Sequence, residues 1–162
     1  MVAQQLVLPE GYGLVFYGIF ASGCSNLYCA LNVQRLRHKF GVPYPSLYAT
    51  EAHMSKQCKK GNIDTFNCAQ RAHQNTLESL TWVQVQGALV GLLFPRFAAA
   101  CLLIYAVGRV LYCIGYTRYG PDGRVLGGAI SQVGAFFPLL LATAYCGWML
   151  TVQVVDVDVT AL

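Results

Sequence analysis

The hydrophobic residues of this chain fall into long uncharged runs separated by short polar breaks, and the runs exceed the length of ordinary buried strands or core helices. The first run carries no charge from Gly11 to Gln34 and ends in the basic cluster Arg35, Arg37, His38 and Lys39. Gly41, Pro43 and Pro45 follow it and stop a helix. A loop with Lys56, Lys59 and Lys60 then continues to about Ile63. The second run is uncharged only from Ser79 to Pro95, slightly short of the roughly 20 residues a bilayer requires, so its span must begin near Phe66 and open with polar turns. Pro95 and Arg96 form a tight connection to a third span, whose interior holds one charge, Arg109. Gly120-Pro121-Asp122-Gly123 reads as a turn. After Arg124 the chain is uncharged from Val125 to Val155, a fourth span with a kink expected at Pro138. The pattern predicts an all-α fold: an integral membrane four-helix bundle, one domain over residues 1–162, with spans at about 11–34, 66–94, 97–119 and 125–155.

Composition agrees with a membrane. Of 162 residues, 56% are hydrophobic and 11% charged, against about 25% charged in soluble domains. The net charge of +4 does not point to nucleic acid, because Lys and Arg sit beside apolar runs rather than in a basic stripe on a polar surface. Counted by side, Arg35, Arg37, Lys39, Lys56, Lys59 and Lys60 lie in the first connection and Arg118 and Arg124 in the third, while Arg96 stands alone in the second. The positive-inside rule therefore predicts that the loops between spans 1 and 2 and between spans 3 and 4 are cytosolic, with both termini on the other side. Glu10 rather than a basic segment precedes the first run, and the run is too long for the apolar part of a signal peptide, so it is expected to be retained. Seven cysteines, an odd number without a C-x-x-C pair, read as reduced small apolar residues. His38, His53 and His73 have no ligand spacing among themselves or with the cysteines, and no metal is expected.

The candidate chemistry lies in the polar positions of the second and third spans. Asn67, Arg71, Gln74, Asn75 and Glu78 recur at helical spacing and share one face. Tyr105, Arg109, Tyr112 and Tyr116 make a stripe on the next helix. A charge at membrane depth costs at least about 2.5 kcal/mol, so two arginines and a glutamate there need partners or a ligand. One reading is structural: Arg71 pairs with Glu78, Arg109 snorkels and the tyrosines form an interfacial belt. The other is a site for a zwitterionic ligand with several carboxylates, which guanidinium groups hold while a glutamate and an amide accept from its ammonium group.

The run Phe66-Asn67-Cys68-Ala69-Gln70-Arg71-Ala72-His73-Gln74-Asn75-Thr76-Leu77-Glu78, with Gly108-Arg109-Val110-Leu111-Tyr112 and Gly115-Tyr116, resembles the MAPEG family of membrane glutathione enzymes, and Asn32-Val33, the stretch from Arg37 to Tyr48 and the span spacing extend the resemblance over nearly the whole chain. The resemblance implies a homotrimer of four-helix protomers. It implies glutathione as co-substrate, bound between neighbouring protomers near the cytosolic face, and a lipophilic second substrate arriving from membrane lipid. It implies glutathione contacts at Arg71, His73, Asn75 and Glu78, at Arg109, Tyr112 and Tyr116, and at Arg37 reaching from a neighbouring protomer. His73 stands where leukotriene C4 synthase has a glutamine, and Ser79 where that enzyme has a tyrosine. The family's catalytic arginine, which stabilises the glutathione thiolate, corresponds to Arg124, with Arg118 as the alternative because the preceding turn is one residue longer. The implied activities are glutathione transfer and glutathione-dependent peroxidase, in the endoplasmic reticulum or alternatively the outer mitochondrial membrane. Two rivals are a non-catalytic lipid-presenting scaffold like the 5-lipoxygenase-activating protein, and a small channel or transporter lined by the buried charges.

Overall fold

The computed structural model describes residues 8–53 and 60–160, with side chains to Val152 outside the gap. Helix α1 (Gly13–Phe40) is followed by a 3-10 turn at Glu51–His53, then by α2 (Lys60–Gly91) and α3 (Pro95–Tyr119). A 3-10 turn, Gly120–Arg124, leads to α4 (Val125–Ser131), a π turn (Gln132–Phe136) and α5 (Phe137–Thr160). The described residues contain no strand. Gly13–Phe40 and the stretch Pro95–Val152 are long and apolar enough to cross a membrane.

Local chemistry explains the helix ends. α1 continues through the basic cluster and stops where Gly41 takes a left-handed φ of 67°, its N–H returning to the Arg37 carbonyl. α2 begins at Lys60, earlier than the polar turns at Phe66 require: Gly61, Asn62, Asp64 and Thr65 are weak helix formers, and it is the packing of Ile63 and Phe66 against α1 that holds this turn. Pro95 opens α3 rather than ending α2, since the first helical position needs no N–H donor. In place of the kink expected at Pro138, the structure shows a π turn just before it. Proline cannot donate to the carbonyl of residue 134, and the ladder widens there, the Phe137 N–H reaching back to Gln132.

α3 is central, packing against α1, α2 and α4. Its Leu102 is fully buried in a hole whose walls are Gly18 of α1 and Gly87 of α2; a Cβ at either glycine would stand within 2.8 Å of that leucine. On the opposite flank the backbones nearly touch. A Cβ on Gly115 would lie 2.0 Å from the Gly123 carbonyl oxygen, and one on Gly127 2.1 Å from the Tyr112 nitrogen. In lipid, where apolar burial does not drive helices together, such close approach is one source of association, beside hydrogen bonds between helices. It also fixes Tyr112 and Tyr116 against α4 and the turn carrying Arg124.

Candidate functional site

The polar turns of α2 face the polar stripe of α3, and the two are joined by hydrogen bonds rather than by ion pairs. The Asn75 amide donates to the Tyr112 hydroxyl at 2.7 Å. Arg109 Nη2 donates to Ser79 Oγ at 2.6 Å, Ser79 and the Tyr105 hydroxyl lie 2.8 Å apart, and Tyr105 also donates to the Thr76 carbonyl. The Arg109 guanidinium sits over the Tyr105 and Tyr112 rings, 5.1 and 5.3 Å from their centroids. Only 2% of Arg109 is exposed, and its Nε has no hydrogen-bond partner. Among the described residues no carboxylate forms an ion pair with it.

These side chains line a cavity of about 550 Å³, with Asn75, Glu78, Ser79, Arg109 and Tyr112 on one side and Trp82, Gln132, Phe136 and Phe137 around the rest. The volume is in the range of small-molecule sites. Arg71 pairs with Glu78 at 3.3 Å, yet their side chains are 46% and 60% exposed on the protomer. A second cavity of about 580 Å³ holds Arg71, Asn67, Cys68, Tyr116 and Arg118. Tyr112, in the wall of the first, meets Tyr116, in the wall of the second, edge to face at 5.7 Å. Arg124 is half-buried behind Tyr116, its Nη1 donating to the hydroxyl at 3.4 Å and its guanidinium 5.1 Å from the ring centroid.

The structure thus brings together Arg71, Asn75, Glu78, Arg109, Tyr112 and Tyr116, with Arg124 one aromatic ring away. His73 is half-buried off that face and has no hydrogen-bond partner among the described residues. Arg37 lies apart, at the base of α1. The residue is 7% exposed, its guanidinium held by the carbonyls of Val42, Pro43 and Ser46 and flanked by the Tyr44 and Phe66 rings. Trp82 and Gln132 were not singled out from the pattern. Trp82 continues the stripe of Arg71, Asn75 and Glu78 by one more helical step, a signal that was legible. Gln132 was an amide in an apolar run, and only the π turn shows that it joins the cavity. No group of three or more His, Cys, Asp or Glu that could hold a metal occurs among the described residues.

Apolar helices enclosing a buried guanidinium, an amide and tyrosines, with a glutamate at the exposed rim, define a helical membrane protein with a polar site. The model of the MAPEG family matches residues 15–152, and the chain belongs to the MAPEG family. That family comprises membrane proteins of glutathione and eicosanoid metabolism and includes both glutathione transferases and peroxidases and members that are not enzymes.

Proposed function

We propose that this protein is a membrane glutathione transferase and peroxidase, similar to microsomal glutathione S-transferase 3, working as a homotrimer of protomers that each cross the bilayer four times. The observation that carries the reading is Arg109. A guanidinium almost wholly buried, with one nitrogen unpartnered and no carboxylate paired to it among the described residues, needs an anion, and it borders a cavity large enough to bring one. Glutathione supplies two carboxylates and an ammonium group; Arg109 and Arg71 suit the former, Glu78 and Asn75 the latter. Tyr112 and Tyr116 donate or accept along its length; the family resemblance adds His73, which lies off that face, and Arg37, held through Nη1 within its own protomer, as a contact to the ligand of a neighbouring copy.

Arg124 is the proposed catalytic residue. A thiol of pKa about 8.5 is mostly protonated at neutral pH, and a guanidinium beside it in a dry site favours the thiolate. The thiolate sulfur then attacks a carbon of a lipophilic epoxide: the C–S bond forms as the ring C–O bond breaks, and the alkoxide takes a proton from water to give a hydroxy thioether. Alternatively the thiolate attacks the distal oxygen of a lipid hydroperoxide, releasing the alcohol; a second glutathione converts the resulting sulfenic acid to the disulfide and water. We place the protein in the endoplasmic reticulum membrane, with the ends of α1 and α3 that carry Arg37 and Arg118 in the cytosol.

The test is calorimetric titration of the detergent-purified protein with glutathione while the ultraviolet band of the thiolate is followed. Saturable binding with a thiolate signal at neutral pH is expected. A folded protein that binds no glutathione overturns the enzymatic reading and favours a lipid-presenting scaffold.

A further inference from the structure

Between the base of α1, the start of α2 and the end of α3 lies a third cavity, of about 470 Å³, separate from the one that holds Arg109. Its walls carry Arg35, Lys39 and Arg118, the side chains of Asn62, Thr65 and Thr117, and no carboxylate. None of the three cations forms an ion pair among the described residues, and Asp64 opens into the neighbouring cavity instead. A cluster serving only membrane orientation has no reason to converge on one concavity. The three cations are exposed, and one of them is held in place: Asn32, 9% exposed, donates to Thr117 Oγ1 at 3.1 Å and accepts from Arg35 Nη2 at 3.0 Å, which turns Arg35 of α1 toward α3.

We propose that this cavity binds a phosphate group, carried by an anionic lipid headgroup or present as free phosphate. Three cations and two hydroxyls around one concavity match the charge and the several acceptor oxygens of a phosphate monoester. Basic pockets between helices at the cytosolic boundary are where headgroups of that kind bind. Binding a lipid there would tie α1 to α3 across the mouth of the second cavity, since Arg118 lines both.

The proposal extends the membrane reading but does not depend on the glutathione one, and the test separates them. Purified protein is equilibrated with mixed micelles of equal amounts of phosphatidic acid and phosphatidylcholine, and the lipid retained per protomer is measured by mass spectrometry. Parallel samples receive inorganic phosphate and are followed by thermal denaturation. Retention of phosphatidic acid well above phosphatidylcholine is expected. In Lys39→Gln its affinity should fall about fivefold, and in Lys39→Gln/Arg35→Gln about 30-fold, from about 1 kcal/mol per cation near an anionic surface. Both variants should keep glutathione binding at the wild-type level. Stabilisation by inorganic phosphate, lost in the variants, assigns the site to free phosphate; selective lipid retention without it assigns the site to the headgroup. Equal retention of both lipids with no phosphate effect in the folded wild type overturns the proposal, as does enrichment that survives both substitutions. Wild-type protein that enriches phosphatidic acid yet binds no glutathione removes the enzymatic reading and leaves this site standing.

Discussion

Arg71 and Arg109 occupy the same polar region but differ in what their loss should do. Among the described residues Arg71, exposed on the protomer, is tethered only to Glu78 and Gln74, so under the proposed function Arg71→Ala should remove a ligand contact without opening the fold. Loss of a charge-assisted hydrogen bond, about 1.5–3 kcal/mol, predicts glutathione binding weaker by about ten- to a hundredfold with an unchanged denaturation temperature. Unchanged affinity in calorimetry would take Arg71 out of the site. Ser79 is the positioning residue for Arg109, and its hydroxyl also faces Tyr105. Ser79→Ala takes the acceptor from Arg109, while Tyr105 keeps the Thr76 carbonyl; at about 1–3 kcal/mol this should lower both thermal stability and glutathione affinity, with Ser79→Thr restoring them. Arg124→Ala should instead retain glutathione affinity while losing the thiolate band and turnover. A variant that keeps both would pass the role to Arg118. The stripe Arg71, Asn75, Glu78 was legible because helical periodicity alone places those residues together. The Arg109–Ser79–Tyr105 network was not, since a serine reads as neutral in a helix until its neighbour across the interface is known.

At the scale of elements, the approach of α3 to α4 sets the geometry that residues then use. Gly115 and Gly127 face backbone rather than flexible side chains, so an added methyl cannot be absorbed by a rotamer change. Gly127→Ala should destabilise by about 1–3 kcal/mol or more and displace Tyr112. Gly147, with nothing within 4 Å of its would-be Cβ, is the control: Gly147→Ala should be neutral or stabilising by about 0.5–1 kcal/mol. Thermal denaturation of the two variants in one detergent checks both, and equal behaviour would mean the close approach is not maintained in solution. The uncharged runs and their Gly and Pro boundaries made the helical class readable. What they could not carry was the π turn. Pro138 marks a defect in the ladder, but whether the chain answers by bending or by widening depends on the packing of Gln132–Phe136 against α3.

At the scale of the whole molecule, the single protomer leaves an electrostatic problem unsolved. Arg71 and Glu78 are about half exposed on a face of α2 that continues into exposed Trp82, Val85, Leu89 and Leu92. An ion pair on that face cannot be left against lipid, and an apolar face continuing from it is suited to another helix, so a second copy covering α2 resolves both. The proposed function includes a trimer in which Arg37 reaches the neighbour's ligand, and that proposal has a consequence no single-variant experiment has. If each site takes Arg71 from one copy and Arg37 from the next, then Arg37→Ala and Arg71→Ala should each depress turnover alone. Co-expressed and co-assembled, they should regain part of it, because some sites then combine an intact Arg37 with an intact Arg71. If Arg37 acts only within its own chain, by holding the loop through Val42, Pro43 and Ser46, every Arg37→Ala chain carries the defect wherever it sits. Mixed assemblies would then show only the average of the two parents. Turnover of purified mixed trimers above that average supports the shared site; turnover at the average confines Arg37 to its own protomer.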